Sequence, residues 1–241
     1  METILFALTS FAGSFIQTIG GFGYGIFVMT IYPFILPTTS TCVTVSGLLS
    51  LGSSTINSVK KRAHIQMNVV MPLIIGFIIS STASILFVKT QPDSILRKLL
   101  ALALILLGIY FIFFSKKEFK TPKNTNLFGL IAGLISGVTG GMFAMSGPPA
   151  VVYLLAVNKD KDNYLANAQF YFTLNGIYAL AVRALTGQIT LDMLLYVPIG
   201  LLAVFVGTFL GRKVSDRIKA STMRKLVYTV MMVGGIIMLF Q

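Results

Sequence analysis

Apolar residues run along this chain in long blocks, divided by short polar connections, with no strict alternation over strand-length segments. The blocks are Thr3–Leu36, Thr39–Val59, Asn68–Val88, Leu96–Phe114, Leu127–Val157, Leu165–Leu185, Met193–Gly211 and Met223–Phe240. About 20 residues of helix cross a bilayer's hydrocarbon core, so most of these blocks predict one crossing each. Helices satisfy their own backbone groups in lipid, and the pattern lacks the alternating ten-residue segments of a membrane β-barrel. Two blocks, Thr3–Leu36 and Leu127–Val157, are too long for one crossing. Glycines interrupt both near the middle: Gly20, Gly21, Gly23 and Gly25 in the first, Gly137, Gly140 and Gly141 in the second.

The order of landmarks repeats. Ala12-Gly13 and Gly20-Gly21 recur 120 positions later as Ala132-Gly133 and Gly140-Gly141. Pro72 then matches Pro198, Leu96-Arg97-Lys98-Leu99 matches Met223-Arg224-Lys225-Leu226, and Gly108-Ile109 matches Gly235-Ile236. Matches in the same order, with slowly drifting offsets, argue for a duplicated unit of four blocks. The expected organisation is a first repeat over 1–115, a basic cytoplasmic linker over 116–125 and a second repeat over 126–241.

Charge chooses between topologies. If each overlong block crossed once, Lys and Arg would divide eight against eleven between the two sides. If each turns back at its glycines, one side holds the clusters at 60–62, 116–123, 159–161 and 212–225. The other keeps only Lys89, Arg97, Lys98 and Arg183, which is fifteen against four. The positive-inside rule expects such a bias. The expected fold is therefore an all-α polytopic membrane protein of two homologous halves. Each half has a glycine-broken re-entrant first segment followed by three transmembrane helices, and the halves are inverted, with both termini extracytoplasmic. A pair of short extra crossings in place of each hairpin would give the same count.

Composition supports lipid as the solvent: 55% of residues are hydrophobic, 11% are charged and the mean hydropathy is +0.85. The net charge of +12 lies in clusters between apolar blocks, a pattern suited to lipid head groups rather than nucleic acid. All seven acids occupy connections or span ends. No carboxylate dyad, spaced histidine pair or Ser/His/Asp set lies within membrane reach, so an enzyme is not expected. A proton relay through intramembrane Asp, Glu or His is equally disfavoured. Cys42 is alone and His64 sits in a basic loop, so neither metal nor cofactor is expected. The first block has no basic leader before it and reads as part of the mature chain. Homo-oligomerisation is left open.

The breaks are the candidate chemistry. Glycine costs roughly 1 kcal/mol inside a helix, and a break frees N–H groups that lipid cannot satisfy. A half-helix beginning near Phe22–Tyr24, and another near Met142–Phe143, would aim its positive end at the midplane and favour an anion. The expected substrate contacts are Gln17, Gly20, Gly21, Phe22, Gly23 and Tyr24 from the first break, with Thr139, Gly140, Gly141, Met142 and Ser146 from the second. Asn57, Gln169, Asn175 and Arg183 are further candidates, although interhelical hydrogen bonding, or for Arg183 snorkelling to the interface, is the competing role. Close helix packing along Gly129, Gly133 and Gly137 is the alternative reading of the second glycine set. Pro33 and Pro37 follow the first break and Pro148-Pro149 the second, as kinks or as further openings in the backbone.

On Ala12-Gly13 through Gly25 with Pro33, and Ala132-Gly133 through Gly141 with Pro148-Pro149, nearly the whole chain resembles the sulfite exporter TauE/SafE family, also called the toluene sulfonate uptake permease family. The resemblance implies a multi-pass cytoplasmic-membrane permease for small anions such as sulfite or organosulfonates. An anion channel, or a permease for another small carboxylate or inorganic anion, is the alternative. Gln17, Phe22 and Tyr24 depart from a fuller small-residue pattern, which puts pocket size in question.

Overall fold

The computed structural model describes residues 1–114, 124–158, 160–215, 217–218 and 220–240, with side chains at 111–114 and 220–226 outside the description. The expected linker over 116–125, with Lys116, Lys117, Lys120 and Lys123, and the residues Lys159 and Lys219 therefore lie outside the described residues or at their edge. The described chain is helical, and no strand occurs among its residues.

Among the described residues eleven α-helices follow in order: α1 Glu2–Gly20, α2 Tyr24–Ile31, α3 Thr39–Lys60, α4 Met67–Thr90, α5 Asp93–Phe114, α6 Thr125–Phe143, α7 Gly147–Val157, α8 Lys161–Leu185, α9 Leu191–Leu194, α10 Val197–Val214 and α11 Ala220–Leu239. Short polar side chains set several starts. Thr38 accepts from the Thr41 N–H at 3.1 Å, Asn124 from Leu127 at 3.0 Å and Asp160 from Asn163 at 2.8 Å. Each satisfies an N–H that the first helical turn leaves without a partner.

The segments Glu2–Gly20, Met67–Thr90, Thr125–Phe143 and Leu191–Val214 are long and apolar enough to cross a membrane. On α4 and α10, Ile75, Ile79, Phe87, Leu202 and Phe205 face outward and are exposed, as lipid-facing surface requires. The helices α3 and α8 have the length but not the uniform apolarity. Their buried Ser46, Ser53, Ser54, Asn57, Asn167, Gln169, Asn175 and Arg183 mark them as interior.

Small residues place the neighbours. The α4 and α6 helices run parallel, with Gly129 against Pro72, Gly133 against Leu73, Gly137 against Phe77 and Gly141 against Ser81. This four-residue spacing lets backbones approach closely. The α1 and α10 helices run parallel in the same way, with Gly207 against Phe11 and Ser14, and Gly211 against Phe15 and Thr18. The α3 and α8 helices are antiparallel, since Gly47 meets Leu180 and Gly176 meets Leu51. So are α5 and α11, through Gly108 on Met232 and Gly235 on Leu104. Exchanging α1 with α6, α2 with α7, α3 with α8, α4 with α10 and α5 with α11 carries α1–α10 into α6–α4, α3–α10 into α8–α4 and α2–α3 into α7–α8, all of which are packed pairs.

Ion pairs and loops group the helix ends. Lys61 pairs with Asp162 at 2.5 Å and Lys161 reaches the Ser215 carbonyl at 3.3 Å. These contacts gather the 60–62, 161–162 and 212–215 segments at one end of the bundle. Thr39 donates its N–H to Asp93 at 2.6 Å, near the beginnings of α3 and α5.

Candidate functional site

The first break falls where the glycines predict it. Gly21 (φ 82°) and Gly23 (φ 116°) adopt left-handed backbone conformations, which L-residues disfavour by roughly 1–2 kcal/mol. The chain then reverses. Tyr24 and Val28 of α2 lie against Gly13, the Tyr32 hydroxyl is 2.8 Å from Ser10 and the Tyr32 ring stacks on Phe6. The α2 helix therefore runs back along α1.

The second break falls later than expected. Gly137, Gly140 and Gly141 all stay inside α6, which continues to Phe143. The turn is made by Ala144 in a left-handed conformation (φ 54°), with Met145 and Ser146, and α7 starts at Gly147. The half-helix expected near Met142–Phe143 is thus displaced to Gly147. The physical reason is the proline pair. Pro148 and Pro149 cannot donate to carbonyls four residues back, and their rings would clash there, so an α6 helix cannot continue through them. The glycines instead lie against α4 backbone and side chains: a Cβ on Gly141 would stand 2.7 Å from the Ser81 carbonyl. The packing alternative describes this glycine set.

The two breaks meet. Gly25 packs on the Ala144 carbonyl, and the Phe22 ring lies against Gly147. A small polar cavity there is lined by Gln17, Gly23, Gly25, Ser50, Ser146 and Phe172. A second lobe shares Ser50, Ala144, Ser146 and Phe172 with it and continues to Gly140, Asn175 and Arg183. The N-termini of α2 and α7 both open here.

The two helix starts differ as donors. No backbone acceptor pairs with the N–H groups of Gly23, Tyr24, Gly25 or Ile26, and the first bond of the helix is Phe27 to Gly23 at 2.9 Å. In α7 two of the first-turn residues are prolines, so only Ser146 and Gly147 offer N–H groups. Side chains supply the difference. Asn175 is buried, and neither its amide nitrogen nor its oxygen has a partner within hydrogen-bonding geometry among the described residues. Arg183 is 2% exposed; it donates from Nη2 to the Gly141 carbonyl at 2.6 Å and from Nη1 to Gln188 at 3.0 Å. The snorkelling alternative for Arg183 is corrected, because its guanidinium is held inward by the α6 end. No carboxylate pairs with it among the described residues.

Other candidates divide between lining and support. Gln17 donates to Gln169 at 3.3 Å, and Gln169 donates to the Gly21 carbonyl at 2.9 Å. The Gly20 carbonyl accepts from Tyr164 at 3.2 Å. The Tyr24 ring packs on Gly13 and its hydroxyl is 3.3 Å from Tyr32, so it stabilises the hairpin more than it faces the cavity. Phe22 is buried at the junction. Thr139 caps the second turn, its hydroxyl donating to the Met145 carbonyl at 3.1 Å. Met142 is half-buried against the core and lines neither lobe. Asn57 donates to Thr18 at 3.2 Å, toward the basic end rather than in this cavity.

Sequence reasoning did not single out Ser50, Phe172, Ala144 or Gln188. Ala144 had a usable signal in the Pro-Pro that follows it, whereas Ser50 and Phe172 reach the site only through the α3–α8 pairing. Ser136 ties the second turn in place: it accepts from the Tyr171 hydroxyl at 2.7 Å and donates to the Ser146 carbonyl.

Comparison with known proteins agrees with the membrane architecture. The family described as "Sulfite exporter TauE/SafE" matches residues 5–238. A protein of Cupriavidus necator, named "Probable sulfite/organosulfonate exporter TauE", is 25% identical over 232 residues, covering 95% of this chain and 90% of its own length. No solved structure matches the chain. With a match that runs almost from end to end over a helical, lipid-faced bundle, the chain belongs to the sulfite exporter TauE/SafE family of membrane transporters.

Proposed function

We propose that the chain is a permease that exports sulfite or an organosulfonate, holding the anion near the midplane between the starts of α2 and α7. The observation that carries this reading is a cavity with polar groups in its lining at the meeting of two half-helices, beside a buried guanidinium without a carboxylate partner among the described residues. An unpaired buried charge is costly, and an anionic guest would neutralise it. Four N–H groups from α2, two from α7, the Ser146 hydroxyl and the unpartnered Asn175 amide suit the oxygens of a sulfite or sulfonate group.

The proposal includes an inverted pair of repeats with re-entrant first segments. Supporting it, α3 runs antiparallel to its counterpart α8, α5 runs antiparallel to α11, and α2 and α7 double back along α1 and α6. In this arrangement the ends bearing Lys60–Arg62, Lys161 and Arg212–Arg217 are cytoplasmic and both termini are outside. The Gln17–Gln169 bond, which lies between this cavity and the basic end of the bundle, favours a carrier over an anion channel.

The test is flux of sulfite and of an aliphatic sulfonate in proteoliposomes. Arg183→Gln and Asn175→Leu should each lower saturable flux by about tenfold or more, the loss expected for one charge-assisted or buried hydrogen bond. Wild-type flux in both variants would remove the central site from this location. For the topology, cysteines placed at Lys60 and Lys161 should react with an impermeant reagent from one side and a cysteine at Lys89 from the other. Cys42 is buried and leaves the readout to the introduced thiols.

A further inference from the structure

A second cavity, of about 160 Å³, opens at the basic end of the bundle. It lies where the tip of α1, the end of α3, the start of α8 and the end of α10 converge. Its walls include Thr18, Asn57, Lys60, Lys161, Gln169 and Arg212. Lys61 and Asp162 also line it, but their 2.5 Å pair largely cancels the one carboxylate among the described lining residues. Arg212 and Lys60 add positive charge to the wall, and Lys161 lines it while bonded to the Ser215 carbonyl.

Arg212 is the distinctive member. Its Nε donates to the Thr208 carbonyl at 3.4 Å, while its Nη1 is buried and has no partner among the described residues. Buried donors are nearly always satisfied, and a guanidinium presents planar paired donors that match an oxyanion. The Asn57 and Gln169 amides and the Thr18 hydroxyl add neutral polar groups. The floor is informative too. Gln169 lines this cavity, whereas Gln17, to which it is hydrogen-bonded, lines the central one.

From this arrangement we propose that the vestibule is an outer oxyanion site, centred on Arg212 and separated from the central site by the Gln17–Gln169 bond. It takes the same sulfite or sulfonate class as the central cavity, and to that extent rests on the permease reading. Lys60 and Lys161 raise the local anion concentration at its mouth, and Arg212 holds the anion until the glutamine pair opens.

The experiment is equilibrium binding of radiolabelled sulfite to the full-length chain in nanodiscs of zwitterionic lipid. Wild type should bind two anions per chain and Arg212→Gln one. Lys60→Gln with Lys161→Gln, both exposed positions, should weaken the outer site about tenfold, corresponding to roughly 1.4 kcal/mol, and flatten its salt dependence. Wild-type stoichiometry in Arg212→Gln would overturn the proposal. If that variant elutes as an aggregate, wild-type affinity and salt dependence in the double lysine variant overturn it instead. Loss of the Arg212-dependent site when the nanodiscs contain anionic lipid would assign the vestibule to lipid phosphates, and would also overturn it. The central reading fails separately, through full binding and flux in Arg183→Gln whatever Arg212→Gln does.

Discussion

The two breaks that meet at the centre of this protein are built by opposite means. The first is a backbone device: two left-handed glycines turn the chain and leave four N–H groups at the start of α2. The second is a side-chain device. Prolines end α6 and remove donors from α7, and Ser146, Asn175 and Arg183 stand where N–H groups are missing. The two breaks thus share a place in the fold without sharing the atoms that serve there.

Substitution should expose the contrast. The largest effect belongs to Gly21→Val: the φ of 82° disfavours any side chain, and a Cβ would stand 2.9 Å from Tyr164. A loss of about 3 kcal/mol or more, with flux abolished, is the expectation, and thermal unfolding with proteoliposome flux checks it. Substituting Gly137 tests the other half. Its φ is unremarkable, so Gly137→Ala should act only by pushing α6 from α4, costing about 1–3 kcal/mol. The half-saturating concentration of the protein that still folds should stay at the wild-type value, and a large shift in it would mean that this glycine does shape the site.

A smaller effect, of opposite sign, is expected at Ala144. Glycine relieves the left-handed cost of roughly 1–2 kcal/mol but adds unfolded-chain freedom. Ala144→Gly should thus raise stability by about 0.5 kcal/mol, whereas Gly23→Ala should lower it. An effect of the same small order concerns the Lys61–Asp162 pair below the first break. Its hydrogen bond to Lys61 and the lysine's charge hold the Asp162 carboxyl below its ordinary range. The stabilisation is present above the unfolded pKa of about 3.9 and disappears as pH falls through the lower folded value. Both partners are well exposed, so no more than about 0.2–1 kcal/mol is at stake. A Lys61→Met variant should erase that part of the acid dependence of Tm.

The same contrast explains what could be read in advance. Helix positions follow from apolar run length, so α3 to α5 and α8 to α11 fall close to their blocks. The first break was legible because glycines at 20, 21, 23 and 25 combine a high helix cost with a required turn. The second misled because a glycine serves equally well where two helices touch, and composition alone does not separate a bent backbone from a crowded one. Pro148-Pro149 carried the missing information. Arg183 was placed at the interface by its distance from the end of a block. Only the folded α6 terminus, with the Gly141 carbonyl beside Gln188, gives its guanidinium a reason to turn inward. Ser50 and Phe172 come to one cavity through the packing of α3 on α8, a pairing of distant segments that no local pattern encodes.

The exchange of partners between halves has a consequence for biogenesis. Each break-bearing helix rests on a helix of the other half: α6 on α4, and α1 on α10. During synthesis α6 finds α4 already inserted, while α1 has its glycine-facing seam uncovered until α10, made after it, leaves the ribosome. The N-terminal hairpin must therefore wait in the membrane as an unfinished surface, and its earliest partner is whatever lipid, insertion machinery or chaperone covers that seam in the meantime.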